Sequence, residues 1–223
     1  MSEVKKPYVT YGNKTACSTG GSDCGCGSAS SPTSLKVNGC RFTLNIMSDD
    51  FINIILDSLK KTKTDKVWQM TDELSTVYRG KQVHVMDSVK ACFINAFKPG
   101  VHMTSEMTFS RGCPGDVEAD SFMNVDDVPE NEPLIKDVHF PVMCKIAFYP
   151  MGIPDYMSHI ATIVNHAIDL GIYERSSHYC TILKGDVQDI FAYFDYVNTY
   201  GGEHLSHYIL EATLAVNLPE EEK

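Results

Sequence analysis

The chain has 223 residues, 43% of them apolar, which is enough for a core and for two domains at roughly 100–200 residues each. Its net charge of −10 excludes nucleic acid and anionic membrane surfaces as partners, because both need basic patches, and is compatible with a cationic ligand. No run reaches the roughly 18 apolar residues of a membrane span, so direct membrane insertion is not expected.

Residues 1–38 are polar, rich in Ser, Gly and Thr, and carry no apolar h-region. They read as a disordered extension, and a cytoplasmic location with mostly reduced thiols follows for the eight cysteines. Cys17, Cys24 and Cys26 raise the question of a thiolate metal or redox site. The CxC spacing lacks the paired CxxC of structural zinc, so flexible reduced thiols are the reading preferred, with no metal.

From residue 39 the elements follow as strand, helix, strand, strand, helix, strand. Gly39 to Met47 is the first strand. Ser48-Asp49-Asp50 starts a helix with Phe51, Ile54, Ile55 and Leu59 inward. Lys66–Thr71 and Leu74–Gly80 are strands. Val85, Met86, Val89, Phe93 and Ala96 mark the second helix, which Pro99-Gly100 stops. In the strand Val101–Ser110, Met103, Met107 and Phe109 line one face and His102, Thr104, Glu106 and Thr108 the other. This first repeat spans 39–115, and 116–138 is an acidic linker with Pro129 and Pro133.

The second repeat, 139–218, runs in the same order. Met143–Met151 is a strand, and Pro154–Leu170 a helix with Tyr156, Ile160, Ile163, Val164 and Ala167 inward. Ile172–Ser176 and Tyr179–Gly185 are strands, Val187–Asn198 is a helix, and His204–Asn217 is a strand with Tyr208, Leu210, Ala212, Leu214 and Val216 on one face. Ser75-Thr76-Val77-Tyr78-Arg79-Gly80 recurs as Cys180-Thr181-Ile182-Leu183-Lys184-Gly185, an offset of 105 residues (180 − 75). The same offset pairs Glu106 with Glu211. Two βαββαβ units imply an α+β fold of two tandem ferredoxin-like sandwiches, with helices on one face of each antiparallel sheet. The other face needs a cover: the second sheet, another subunit or a ligand. In this topology the first and third strands are central neighbours, which sets Phe42–Leu44 beside Thr76 and Ile146–Phe148 beside Thr181.

Chemistry for catalysis is sparse. There is no P-loop, GxGxxG, HExxH or GxSxG. His204 and His207 point to opposite faces of their expected strand, and Cys113 has no fixed His partner, so no catalytic residue, cofactor or enzyme activity is expected. Glu106 and Glu211 lie mid-strand on the face away from the helices. Each could accept from an amino group or offset a cation, though a solvated or inter-subunit pair is the commoner use. Thr76 and Thr181 are ordinary β-formers, but their retention in both copies balances a ligand contact against that use. Trp68 and Tyr173 occupy matched positions and could stack on a flat heterocycle; core packing is the commoner use.

Several pieces together resemble the YkoF-type thiamin/hydroxymethylpyrimidine-binding proteins. They are Met47-Ser48-Asp49-Asp50-Phe51-Ile52, Lys66-Val67-Trp68, Ser75-Thr76-Val77 with Arg79-Gly80, Thr108-Phe109-Ser110, Gly112-Cys113-Pro114-Gly115-Asp116, Tyr149-Pro150-Met151 and Pro154-Asp155-Tyr156-Met157. The resemblance implies a non-catalytic binder of thiamin or its pyrimidine precursor, a homodimer, and a role beside an uptake system of the cytoplasmic membrane. It implies one site per repeat, at Leu44 with Thr76 and at Phe148 with Thr181, with Tyr149 beside the second. Asn45-Ile46 departs from the Tyr149-Pro150 pattern, so the second site is expected to be the stronger. The alternative is a regulatory or assembly module whose open sheet binds a protein partner.

Overall fold

The computed structural model describes residues 36–111 and 119–219. Cys17, Cys24, Cys26 and Cys113 lie outside the described residues. The first unit comprises β1 (Asn38–Phe42), β2 (Asn45–Ile46), α1 (Phe51–Lys61), β3 (Trp68–Thr71), β4 (Thr76–Gly80), α2 (Gln82–Ala96) and β5 (Met103–Arg111). A 3₁₀ turn (Asp120–Asn124) and the short α3 (Glu132–Ile135) follow. The second unit comprises β6 (Pro141–Pro150), α4 (Tyr156–Asp169), β7 (Tyr173–Ser177), β8 (Cys180–Asp186), α5 (Val187–His204) and β9 (Tyr208–Val216). Both units are βαββαβ and ferredoxin-like, and β1 and β2 keep one register against β5, Phe42 facing Met107 and Asn45 facing Thr104.

The described strands form one sheet in the order β3-β4-β1-β5-β9-β6-β8-β7, with β2 also on β5. The two tandem ferredoxin-like units are joined edge to edge: their last strands pair along their full length, from Met103 opposite Val216 to Arg111 opposite Tyr208. This pairing satisfies one exposed edge of each unit. It also merges the cores. Phe93 of α2 meets Phe140 at 6.1 Å and Phe191 of α5 at 5.8 Å, and Phe97 stacks on Phe140 at 3.9 Å. The second sheet therefore extends the first and does not cover its open face.

Alternation assigns the faces as expected. Met103, Ser105, Met107 and Phe109 of β5, and Tyr208, Leu210, Ala212, Leu214 and Val216 of β9, are buried toward the helices. Thr104, Glu106, Thr108, Glu211 and Thr213 lie on the open side. The helices differ more from expectation. Helix α1 buries Ile54 and Ser58, and α4 buries Ile163 and Ala167, while Phe51 and Tyr156 at their first turns stay exposed. Helix α5 runs six residues past Asn198, so His204 ends a helix and is not in a strand with His207. Gly201 permits this: a Cβ there would come within 2.6 Å of the Tyr208 ring, which packs flat against the helix and donates its hydroxyl to Asn198.

The expected acidic linker docks on the first unit over its described part. Asp87 on α2 accepts from the backbone N–H of Glu130, Asn131 and Glu132 and from the Asn131 side-chain amide, at 2.8–3.0 Å. Lys66, Lys81 and Lys90 pair with Asp126, Asp127 and Glu132. The acidic residues thus neutralise a row of lysines, and α2, with the sheet, α1, α5 and this connection around it, is buried on nearly every side.

Candidate functional site

The two threonines occupy equivalent positions in the sheet. Thr76 of β4 faces Phe42, and Thr181 of β8 faces Ile146. Directly opposed residues share a face, so both threonines point toward the helices, and both are buried. Leu44 and Phe148 lie two residues beyond Phe42 and Ile146, which returns them to that same side. Thr43 keeps the strand in register there through its N–H to the Glu106 carbonyl, 2.9 Å. The structure thus brings Leu44 toward Thr76 and Phe148 toward Thr181, at corresponding ends of two pairs of central strands. The chain exposes apolar side chains at the start of the first helix of each unit, Met47 and Phe51 in the first unit and Tyr156 and Met157 in the second.

The two pairs differ in how the threonine is used. The Thr76 hydroxyl lies 3.0 Å from that of Thr71, the residue opposite it on β3. In the second unit the corresponding residue is Ser176, whose hydroxyl is bonded instead to Tyr173 at 3.0 Å. Among the described residues, nothing takes the place of Thr71 for Thr181, whose hydroxyl has no side-chain partner. Phe148 is buried and its ring meets Tyr208 at 5.8 Å, whereas Leu44 is half-buried.

The other sequence candidates sit elsewhere. Trp68 faces Arg79, which faces Gly39, and this row lies on the open side, away from Thr76. Its expected match, Tyr173, faces Leu183 on the helix side, because an irregularity between Tyr173 and Arg175 shifts the register. The pairing of Trp68 with Tyr173 is therefore not kept. Glu106, Glu211 and Tyr149 do converge, on the open face, in a cleft of about 370 Å³ that also includes Lys145, Ala147, His178, Tyr179 and Cys180. The Tyr149 hydroxyl donates to Glu211 at 3.4 Å. Its pKa is raised, first by burial and then by the Glu211 charge and hydrogen bond.

Sequence reasoning missed Lys145, Ala147 and the His178-Tyr179 tip. Tyr179 is 98% exposed and has a φ of 66° at the second central position of a two-residue hairpin closed by Ser177 opposite Cys180. That position ordinarily takes Gly or Asn, and a tyrosine there costs about 1–3 kcal/mol. The first strands are equivalent at an offset of 104 residues, as the sequence pairing of Phe42–Leu44 with Ile146–Phe148 already had it (146 − 42). Cys40 and Cys144 are equivalent at 104 residues, each facing equivalent partners, Tyr78 with Phe109 and Leu183 with Leu214. Both thiols are buried and their pKa values raised by that burial. No group of three His, Cys, Asp or Glu suited to a metal occurs among the described residues, and no described helix is long and apolar enough to cross a membrane. His204 and His207 instead bond the carbonyls of Tyr200 and Arg111.

Comparison with known proteins gives two findings. A family model described as the YKOF-related family matches residues 37–116 and 141–221, one match per unit. A protein of Bacillus subtilis (strain 168), named "Putative HMP/thiamine-binding protein YkoF", is 38% identical over 184 residues, covering 82% of this chain and 92% of that protein.

Proposed function

The chain belongs to the YKOF-related family, and from that premise we propose that it binds thiamin or its hydroxymethylpyrimidine (HMP) moiety without turning it over. The relative's name supports the ligand. One observation on this chain carries the reading further: Thr181 is 8% exposed, and its hydroxyl has no side-chain partner among the described residues and stays open to an incoming group near the buried Phe148 ring. An aminopyrimidine edge presents an amino donor next to a ring-nitrogen acceptor, and a threonine hydroxyl can serve either. Neutral contacts of this kind add only about 0.5–1.5 kcal/mol each, so ring burial against Phe148 supplies most of the affinity.

The proposal assigns one site to each unit, Leu44 with Thr76 and Phe148 with Thr181. The second is stronger, because the Thr76 hydroxyl already spends one of its hydrogen-bonding positions on Thr71 and so has fewer left for a ligand. The proposal also includes a cytoplasmic homodimer that serves uptake or salvage. Titration of the pure protein with thiamin and with hydroxymethylpyrimidine tests the ligand, and sedimentation tests the dimer. Heat from neither compound at millimolar concentration would end the reading, and turnover of thiamin would end its non-catalytic part.

A further inference from the structure

The helix side of the sheet carries a cleft that the thiamin reading does not use. It runs between α2 and α5 and has a volume of about 430 Å³. Val83 and Met86 of α2 and Phe191 and Ala192 of α5 give it apolar walls, and Pro129 of the connection adds to them. Its charges are mostly negative. Asp87 is spent on the connection, and Lys90 is paired with Glu132 at 2.8 Å. Asp195 has no ion pair among the described residues; its carboxylate accepts from the Gln82 amide at 2.8 Å.

Strand β1 enters the fold at this cleft. Asn38, its first residue, donates its side-chain amide to the Gln82 oxygen at 2.8 Å, and Gln82 also donates to the Thr199 hydroxyl at 2.8 Å. Gln82 and Thr199 both line the cleft. The Asn38 side-chain oxygen is buried and has no partner among the described residues. Residues 1–35 therefore lead into the fold beside the α2–α5 cleft.

Those residues differ in charge from the rest of the chain. Lys5, Lys6 and Lys14 against Glu3 and Asp23 give +1 (3 − 2), so the remainder carries −11 (−10 − 1). Their aromatic residues fall in one run, Val4-Lys5-Lys6-Pro7-Tyr8-Val9-Thr10-Tyr11, two cations followed by two tyrosines. The 24 residues 12–35 that follow are rich in Gly and Ser, and a chain of that length and composition spans about 27 Å on average. The cleft wall from Gln82 to Lys90 is about 12 Å long at 1.5 Å per helical residue, so all of it lies within reach.

We propose that Val4–Tyr11 docks in the cleft between α2 and α5, with Tyr8 and Tyr11 over Val83, Phe191 and Ala192 and a lysine ammonium of the Lys5-Lys6 pair on Asp195. A tether of this length supplies an effective concentration of about millimolar order, so a contact too weak to hold a free peptide is occupied. The family model begins at residue 37, which makes this arm an addition to the shared fold. The docking does not depend on the thiamin reading.

The test uses the full chain. Zero-length carbodiimide coupling followed by peptide mass spectrometry should join Lys5 or Lys6 to Asp195, and mixing ¹⁴N and ¹⁵N protein should show the link to lie within one chain. Chymotrypsin should cut slowly after Tyr8 and Tyr11 in the wild type. Ala192→Lys, at an exposed position of α5, should raise both cleavage rates about ten-fold or more with melting temperature little changed, because cleavage follows the undocked population. Asp195→Asn keeps an acceptor for Gln82, should raise the rates in the same direction, and decides alone if Ala192→Lys melts early. Wild-type cleavage as fast as in the variants overturns the proposal. So does coupling of Lys5 and Lys6 only to other carboxylates, or only between chains.

Discussion

Replacing Thr181 with valine keeps shape and volume and removes one hydroxyl. Nothing among the described side chains bonds that hydroxyl, and the side chain is 8% exposed. The unliganded protein should therefore lose no more than about 0.5 kcal/mol, and the added methyl offsets even that. The liganded protein is different. If the hydroxyl pairs with a ring nitrogen or amino group, the variant leaves that ligand group buried and unpaired, at a cost of about 1–3 kcal/mol, or about 5- to 150-fold in Kd. Thr76→Val reverses the pattern. It breaks the bond to Thr71, whose hydroxyl is exposed enough to be re-solvated, so stability falls by about 0.5–1 kcal/mol while the weaker site contributes little to the measured affinity. Urea melts of the free proteins and calorimetry with hydroxymethylpyrimidine separate the two effects. An unchanged isotherm for Thr181→Val, or a larger affinity loss for Thr76→Val, would refute the reasoning.

Other outcomes follow from the scaffold. Asp87→Ala removes the acceptor of four N–H bonds, two of them from the buried Asn131, and should cost about 2–4 kcal/mol in a urea melt; a loss under about 1 kcal/mol would show that apolar contacts dock the connection. Gly201→Ala should destabilise by about 1–3 kcal/mol through the Tyr208 ring, despite better helix propensity; a rise in melting temperature would contradict the close packing. Asp72 has a pKa lowered from 3.8 to about 2 by its Arg41 hydrogen bond and then by the backbone N–H groups of Leu74 and Ser75. A depressed carboxyl stabilises the fold above its unfolded pKa and loses that contribution as pH falls toward 2. Asp72→Asn should therefore melt lower than wild type at pH 7 and converge with it near pH 2, and a gap of the same size at both pH values would contradict the assignment.

Much of this fold is legible because local patterns dictate it. The period-two alternation of β5 and β9 assigned Glu106 and Glu211 to the open face, and the repeated Thr76 and Thr181 marked the central pairings. What was not legible depends on distant or one-residue effects. Nothing local in Met103–Arg111 says that it pairs with Tyr208–Val216, since an alternating strand edge accepts many partners. The irregularity at Glu174 moves Tyr173 to the other face from Trp68, and a single-residue shift can do that without any compositional sign. The docking of Asn131 on Asp87 joins residues 44 positions apart.

The central claim is a pyrimidine site on the helix side of each unit, with the second the stronger. It is tested most directly by titrating the wild-type protein and Thr181→Val with hydroxymethylpyrimidine. The account predicts a two-site isotherm for wild type whose tighter phase is lost in the variant while the weaker phase remains. A flat wild-type isotherm at millimolar ligand, or two phases untouched by the substitution, would contradict it.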